Sequence, residues 1–367
     1  MLDHPAQQFA EAFRLSGRST VVDTTVLYWS TDEGAFDKGF DRSIRWDIDL
    51  TSGYRWWAPD RPTSTRAAVA LWRRLRAEAP DVVLSFGWST PIARLTIVWA
   101  LLTRTPLLHY SDSTWQHSTR PWLRPARGLV LRTLFGLSAG ALATGTFNRE
   151  FYIRHGMHPR RVHDGVCPAD VAAFRAGARA GERTAGHLVI GFAGKLIPRK
   201  GVDELLRALS LMAGREDWSA TIVGDGPQRA ALEDLAHALG IAHRVDFAGF
   251  RNTSEMPKLL GACDVVVVPS TLDLRVLVAI EAMAAGAVVI VSSATAVWGR
   301  GDLIEHDVSG LVYRSGSPRE LASALERLVD EPDLLARLRQ AGMSRVERFG
   351  PAGFRSGLEE AVRSHGG

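Results

Sequence analysis

Short β-branched runs alternate with amphipathic helical stretches along almost the whole chain, and that alternation admits few folds. It reads as α/β with mainly parallel sheets, since parallel neighbours need a crossover of helical length between them. In the second half, residues 188–193, 220–223, 245–248, 265–268 and 288–291 predict strands. A helix is expected from Val202 and another over residues 279–285. In the first half, residues 21–28, 82–86, 107–110 and 141–144 predict strands, and 66–78 and 123–137 predict helices. The second half is expected to be a doubly wound sheet, which binds ligands beyond the carboxyl ends of its strands.

At 367 residues the chain exceeds one ordinary core and suits two α/β domains. Residues 169–186 are rich in Ala, Gly and Arg without a strong apolar period, and predict the interdomain linker. The expected domains are residues 1–170 and 187–347. The two cysteines, Cys167 and Cys263, lie far apart without C-x-x-C spacing, which argues against a disulfide framework and fits a reducing compartment. No basic-then-apolar leader opens the sequence, so no signal peptide is expected. The apolar run around residues 95–102 is too short to span a bilayer. The expected location is cytoplasmic.

Charge is unevenly placed. Residues 1–186 hold 24 Lys and Arg against 17 Asp and Glu, whereas residues 187–367 hold 20 against 23. Nine of the 11 tryptophans precede residue 123. Trp115, Arg120, Trp122, Arg124, Arg127 and Arg132 would give a basic, aromatic helix suited to the inner face of a membrane. The same residues read equally well as buried aromatics and solvated arginines. No nucleic-acid partner is expected.

Three motifs could carry chemistry. The first is Gly194-Lys195-Leu196-Ile197-Pro198-Arg199-Lys200-Gly201, after a strand and before a helix. Glycines let backbone approach a ligand, a helix start favours an anion, and the cations neutralise phosphate. Two of the chain's four lysines fall here, although the order is not that of a Walker loop. An exposed basic turn is the plainer alternative. The second motif is Pro269-Ser270-Thr271-Leu272-Asp273, then Glu281-Ala282-Met283 and Gly286. Carboxylates beside a phosphate loop suit sugar or ribose hydroxyls, with local capping or pairing as the alternative. The third is Gly224-Asp225-Gly226-Pro227, which a helix start explains by itself. Phe247-Ala248-Gly249-Phe250 is either a strand end or a pocket for a flat base.

In this order and spacing the motifs resemble the donor domain of the family 4 retaining glycosyltransferases over residues 188–350. The resemblance implies the GT-B fold, two Rossmann-like doubly wound domains facing a cleft. It implies that Lys195 and Lys200 contact a donor diphosphate behind Gly194, and that Glu281 holds the ribose hydroxyls. Asp273 would face the donor sugar in place of the family's Glu, and Gly249 and Phe250 would meet the base. Arg275-Val276 replaces an aromatic-Gly pair ahead of Leu277; Val276 puts a Cβ near the phosphate and Arg275 adds charge. Residues 1–7 read as the turn after a missing strand, so the N-terminal sheet is expected to lack its first strand.

The first half resembles the acceptor half of the same family less specifically. Residues 36–54, from Phe36-Asp37-Lys38-Gly39-Phe40 to Gly53-Tyr54, resemble a segment of one branch. Asp112, after His109-Tyr110-Ser111, occupies the His position of a His-Asp pair that the family often has; there it would orient the donor sugar or the acceptor hydroxyl, with an N-cap as the alternative role. Trp88, Asn148 and Arg149 are candidates for acceptor or phosphate contact. Residues 348–367 resemble the helix that crosses back to the first domain.

The implied activity is retaining transfer of a hexosyl unit from a UDP- or GDP-linked sugar to an acceptor hydroxyl. Asp112, Lys200 and Asp273 would be the catalytic residues. No metal or cofactor is expected, because no paired-His spacing or thiolate set is present. The acceptor class stays open between a glycan, a lipid-linked saccharide and a small molecule. Two rivals remain, a GT-B epimerase or phosphorylase and a non-catalytic sugar-nucleotide-binding protein.

Overall fold

The computed structural model describes residues 5–31, 36–60, 65–114, 124–178, 186–274 and 276–365. The chain divides into two compact units. The first comprises Met1–Asp32, Asp49–Pro168 and Gly350–Gly367; the second comprises Glu33–Ile48 and Ala169–Phe349.

The first described element is a helix, α1 (Gln7–Ser16). Strand β1 (Thr25–Leu27) follows, then a hairpin of β2 (Phe36–Asp37) and β3 (Arg42–Ser43), then β4 (Arg55–Trp57). β1 and β4 pair in parallel, whereas the hairpin belongs to the second unit. The run expected as a strand over 21–28 contributes only three residues. Ser19 Oγ accepts the N–H groups of Val21 and Val22 at 3.0 and 3.2 Å, so the backbone there is turned.

Next come α2 (Thr65–Glu78), β5 (Val83–Phe86), α3 (Pro91–Thr103), β6 (Leu107–Ser111), α4 (Arg124–Leu137), β7 (Gly140–Ala143), α5 (Thr146–Arg154) and β8 (Val162–Asp164). The four strands form a parallel sheet in the order β5-β6-β7-β8. Thr90 caps α3, accepting from the Ala93 N–H at 3.3 Å, and Pro91 occupies its first turn.

The second unit continues with α6 (Val171–Ala178), β9 (Leu188–Ala193), α7 (Val202–Leu211), β10 (Trp218–Val223), α8 (Arg229–Ala238), β11 (Val245–Gly249), α9 (Met256–Gly261) and β12 (Val265–Val268). It closes with α10 (Leu277–Ala284), β13 (Val288–Ser292), β14 (Leu311–Tyr313), α11 (Pro318–Asp330) and α12 (Pro332–Arg345). Its six strands are all parallel, in the order β11-β10-β9-β12-β13-β14. Every residue of β12 is a buried valine, as a strand covered on both faces requires.

The linker reading of residues 169–186 needs correction at its start. Residues 171–178 are helical and pack on α9 and α10, with Val171 and Phe174 buried. The alanines between these two anchors hid the apolar period. Residues 179–185 lie outside the described residues.

The last helix, α13 (Pro351–His365), belongs to the first unit and packs on α1, β7 and β8. Its fully buried Phe354 meets Phe9 at 5.8 Å and Tyr110 at 5.7 Å between ring centroids. Edge-on aromatic packing of this kind adds to the burial of the rings. Phe354→Ala should therefore cost the first unit about 3–5 kcal/mol. Hydrogen exchange would then accelerate in α1 and β7 and stay unchanged in β9.

Candidate functional site

The strand order of the second unit reverses between β9 and β12. Chain growth runs outward from β9 to β11 and then returns to the other side of β9. At such a switch point the loops leaving two neighbouring strands diverge and open a crevice at their carboxyl ends. The loop after β9 is residues 194–201 and the loop after β12 is residues 269–276. The first two of the three motifs singled out in the sequence thus meet at the switch point.

Hydrogen bonds join the basic loop to the loop after β12 and to the end of β10, which is itself joined to β11. The Thr271 N–H donates to Arg199 O at 2.9 Å, and the Leu196 N–H donates to Asp225 O at 2.8 Å. The Gly194 N–H donates to Val223 O at 3.0 Å, and the Gly224 N–H donates to Gly249 O at 2.8 Å. Gly201 starts α7 with φ at +66°, and a Cβ there would lie 2.1 Å from Pro269 O. Only glycine fits, so the basic loop lies directly against the other.

The Lys200 ammonium pairs with the Asp273 carboxylate across the crevice, and Ser270 Oγ donates to the same carboxylate oxygen at 3.3 Å. Asp273 is buried and Lys200 largely so. The expected site residues Lys200 and Asp273 are therefore partners. Val276 is buried and precedes α10 with φ at −101°, so the Cβ that replaces the family's glycine causes no strain. Leu277 opens α10, without a side-chain cap at its N-terminus. Arg275 lies outside the described residues.

Glu281 sits on α10 among buried Ala279, Ile280, Ala282 and Met283. Among the described residues its carboxylate has no hydrogen-bond or ion-pair partner. It keeps some exposed area, yet desolvation pushes the carboxyl up to about 7.

Lys195 has a partner that sequence reasoning missed. Its ammonium donates to both Asp37 oxygens, at 2.6 and 2.8 Å. Burial alone would raise the Asp37 carboxyl, but Lys195 and the Gly39 N–H outweigh it and hold the carboxyl below its ordinary value. Lys195 also lies 5.1 Å from the centroid of Phe40, whose ring meets Phe250 edge-on at 5.2 Å. Arg42 covers Phe250 at 4.6 Å. No local pattern marks these contacts, since Asp37 and Lys195 are 158 residues apart in sequence.

The first-unit candidates fall at the ends of β6 and β7. His109 is wholly buried, 2.8 Å from Ser138 Oγ, and burial pushes it down to about 3. It belongs to the core, and Asp112 stands just beyond the strand end. Asn148 is buried, donates to Ser113 O at 2.7 Å and accepts the Thr144 N–H at 3.1 Å. It thereby ties α5 to the loop that carries Asp112. Arg149 donates to Val162 O at 2.5 Å and to Asp164 at 2.7 Å. Trp88 stacks on Phe151 with ring centroids 5.9 Å apart. These three side chains are engaged in holding the first unit together. Trp115, Arg120 and Trp122 lie outside the described residues. Among the described residues no cluster of His, Cys, Asp or Glu is arranged to hold a metal ion.

Two parallel α/β units, one with its loops at a switch point, define the GT-B fold. The Anabaena protein HepE, solved in complex with UDP and glucose, matches with a TM-score of 0.70 at 20% identity. The match covers 99% of this chain and 98% of that one. Residues 178–345 match the family described as glycosyl transferases group 1, and residues 6–163 match the glycosyl transferase 4-like domain. A GDP-mannose-dependent α-(1-6)-phosphatidylinositol monomannoside mannosyltransferase of Mycobacterium tuberculosis is 30% identical over 290 residues, 74% of this chain and 72% of that one. The D-inositol 3-phosphate glycosyltransferase of Rhodococcus jostii is 34% identical over 237 residues, 60% of this chain and 52% of that one. The chain spans about half the length of several such relatives. This chain belongs to the glycosyl transferase group 1 family, as its resemblance to family 4 implied.

The Glu281 shift fixes a direction with pH. Burial favours the protonated carboxyl, so its contribution to stability is full below about 4.5 and is lost as pH rises through about 7. Above that, a charged Glu281 costs about 3 kcal/mol. Glu281→Gln should raise the melting temperature at pH 8 and have little effect near pH 4.5.

Proposed function

We propose that this chain is a retaining glycosyltransferase that moves a hexosyl unit from a UDP- or GDP-linked sugar to an acceptor hydroxyl. The observation that carries it is the pairing of Lys200 with Asp273 at the switch point of the second sheet. A diphosphate in that crevice would meet fixed cations, Lys200 and Lys195, and the uncapped start of α10. Fixed positive charge aimed at a departing diphosphate needs no reorganisation as the bond breaks. Glu281, with no protein partner among the described residues, suits ribose hydroxyls, whose hydrogen bonds would stabilise its charged form.

In the proposed reaction the bond between the anomeric carbon and the diphosphate breaks, and the diphosphate leaves with the electron pair. The acceptor oxygen forms its bond on the same face and gives its proton to the departing phosphate. No protein base is needed, and no metal is invoked. Asp273 orients Lys200, and Asp112 is assigned to the acceptor side. Among the described residues no hydrogen-bonded acid–base pair faces the crevice that would favour an epimerase. Two carboxylate-held lysines at the crevice favour a working donor site over a purely binding protein.

The names of the relatives support a nucleotide-sugar donor, since one is GDP-mannose-dependent and HepE was solved with UDP and glucose. A lipid-linked acceptor at the inner membrane face is the favoured class, in polysaccharide or cell-envelope synthesis. Its support is the outward face of α4, where Leu129, Val130 and Leu137 are 69%, 66% and 64% exposed beside exposed Arg127 and Arg132. No helix among the described residues is long and apolar enough to cross a membrane.

Calorimetric titration with UDP, GDP and their sugars tests the donor site. One nucleotide should bind, and Lys200→Ala should weaken it at least about tenfold and lower kcat by about a hundredfold. A folded protein that binds no nucleotide would overturn the transferase assignment. Sedimentation with anionic vesicles at low salt tests the lipid face. Binding should fall when Leu129 and Val130 are both changed to Asp, and no binding by the unmodified chain removes the membrane from the proposal.

A further inference from the structure

Residues 37–47 come from the first half of the sequence but lie on the second unit, fastened in two places. The tip is held at the basic loop. Asp37 takes two of the three Lys195 donors, at 2.6 and 2.8 Å. The turn behind it packs on the lysine stem, since a Cβ on Gly39 would lie 2.5 Å from Lys195 Cδ. Phe40 and Arg42 meet Phe250. The root is held elsewhere. Asn252 Nδ2 donates to Arg45 O at 2.9 Å, and the Ser254 N–H donates to Asp47 at 3.3 Å.

The two fastenings differ in kind. The side-chain contacts of the tip use groups assigned above to the donor, Lys195 to the diphosphate and Phe250 to the base, while the Gly39 carbonyl packs against Gly226. The root uses none of them. The two lysines differ as well. Lys200 and Asp273 keep only 18% and 8% of their side-chain area exposed, against 32% for both Lys195 and Asp37. An ion pair open to water is weak and exchanges readily, so Lys195 is the lysine whose carboxylate a ligand can displace.

We propose that residues 37–47 form a strap that holds an internal anion on Lys195, and that donor binding exchanges the Asp37 carboxylate for a diphosphate oxygen. The tip then lifts while the root stays anchored, so that Asp37 sets the threshold for donor entry. The proposal rests on the donor assignment above. A diphosphate carries more charge than one carboxylate and brings a base to compete for Phe250, so it displaces both tip contacts together.

Asp37→Asn separates the charge from the fold. Asn Oδ1 still accepts the Gly39 N–H, as Asp37 Oδ1 does at 2.8 Å, so the turn is kept while the anion is lost. The variant should bind UDP or GDP, whichever the unmodified protein binds, roughly fivefold more tightly, the worth of a part-exposed ion pair. In the unmodified protein, saturating nucleotide should speed amide exchange over residues 37–42 and leave residues 45–47 unchanged. A purely structural Asp37 would not produce that split. Weaker or unchanged binding by Asp37→Asn, or slower exchange at the tip with nucleotide, would overturn the strap and leave the donor site standing. If neither protein binds a nucleotide, the donor assignment fails and the strap fails with it.

Discussion

A parallel sheet covered on both faces has almost no room for polar side chains along its strands. In the second unit that constraint governs everything else. Strands β12 and β13 are buried throughout, and β9 and β10 are buried or nearly so. Chemistry is left to the loops where strands end. The reversal of strand order between β9 and β12 selects which of those ends part to form a crevice. The basic loop and the Asp273 loop therefore face each other because of topology. Gly201 then lets them approach to packing distance.

Electrostatic neutrality is the second theme. Both lysines of the basic loop are matched by carboxylates, one from the neighbouring strand end and one from the distant hairpin. A crevice with two unmatched ammonium groups would repel itself and attract any passing anion. With matched pairs the cations are held in place, Lys200 in the more buried pair and Lys195 in the more open one. Glu281 is the exception, a carboxyl with no such match among the described residues, which burial favours in its neutral form.

The second unit was legible in the sequence because its strands are continuous apolar runs separated by loops with glycine. The predicted spans 188–193 and 265–268 coincide with β9 and β12. Where local pattern was weak, reading failed. Residues 21–28 gave a three-residue strand because Ser19 turns the backbone before it. Helix α6 was read as linker because only Val171 and Phe174 anchor it. Site residues on the two loops were found from motif order. Asp37, Phe40 and Arg42 were noticed only as part of a resembling segment. Their roles depend on contacts across more than 150 positions, which no local periodicity records. Asn148 and Arg149 also make hydrogen bonds, to the backbone of residues 113, 144 and 162 and to Asp164, that motif order does not record.

Helix α13 has a consequence for the order in which the chain acquires structure. Domains made during synthesis ordinarily mature from the N-terminal end. Here the first unit takes Phe354, Leu358 and Ala361 into its core from a helix that emerges only after the whole second unit. The half that leaves the ribosome first is thus the half that finishes last. Until then its apolar face beside α1 stays open, and a truncated chain would keep it open for good.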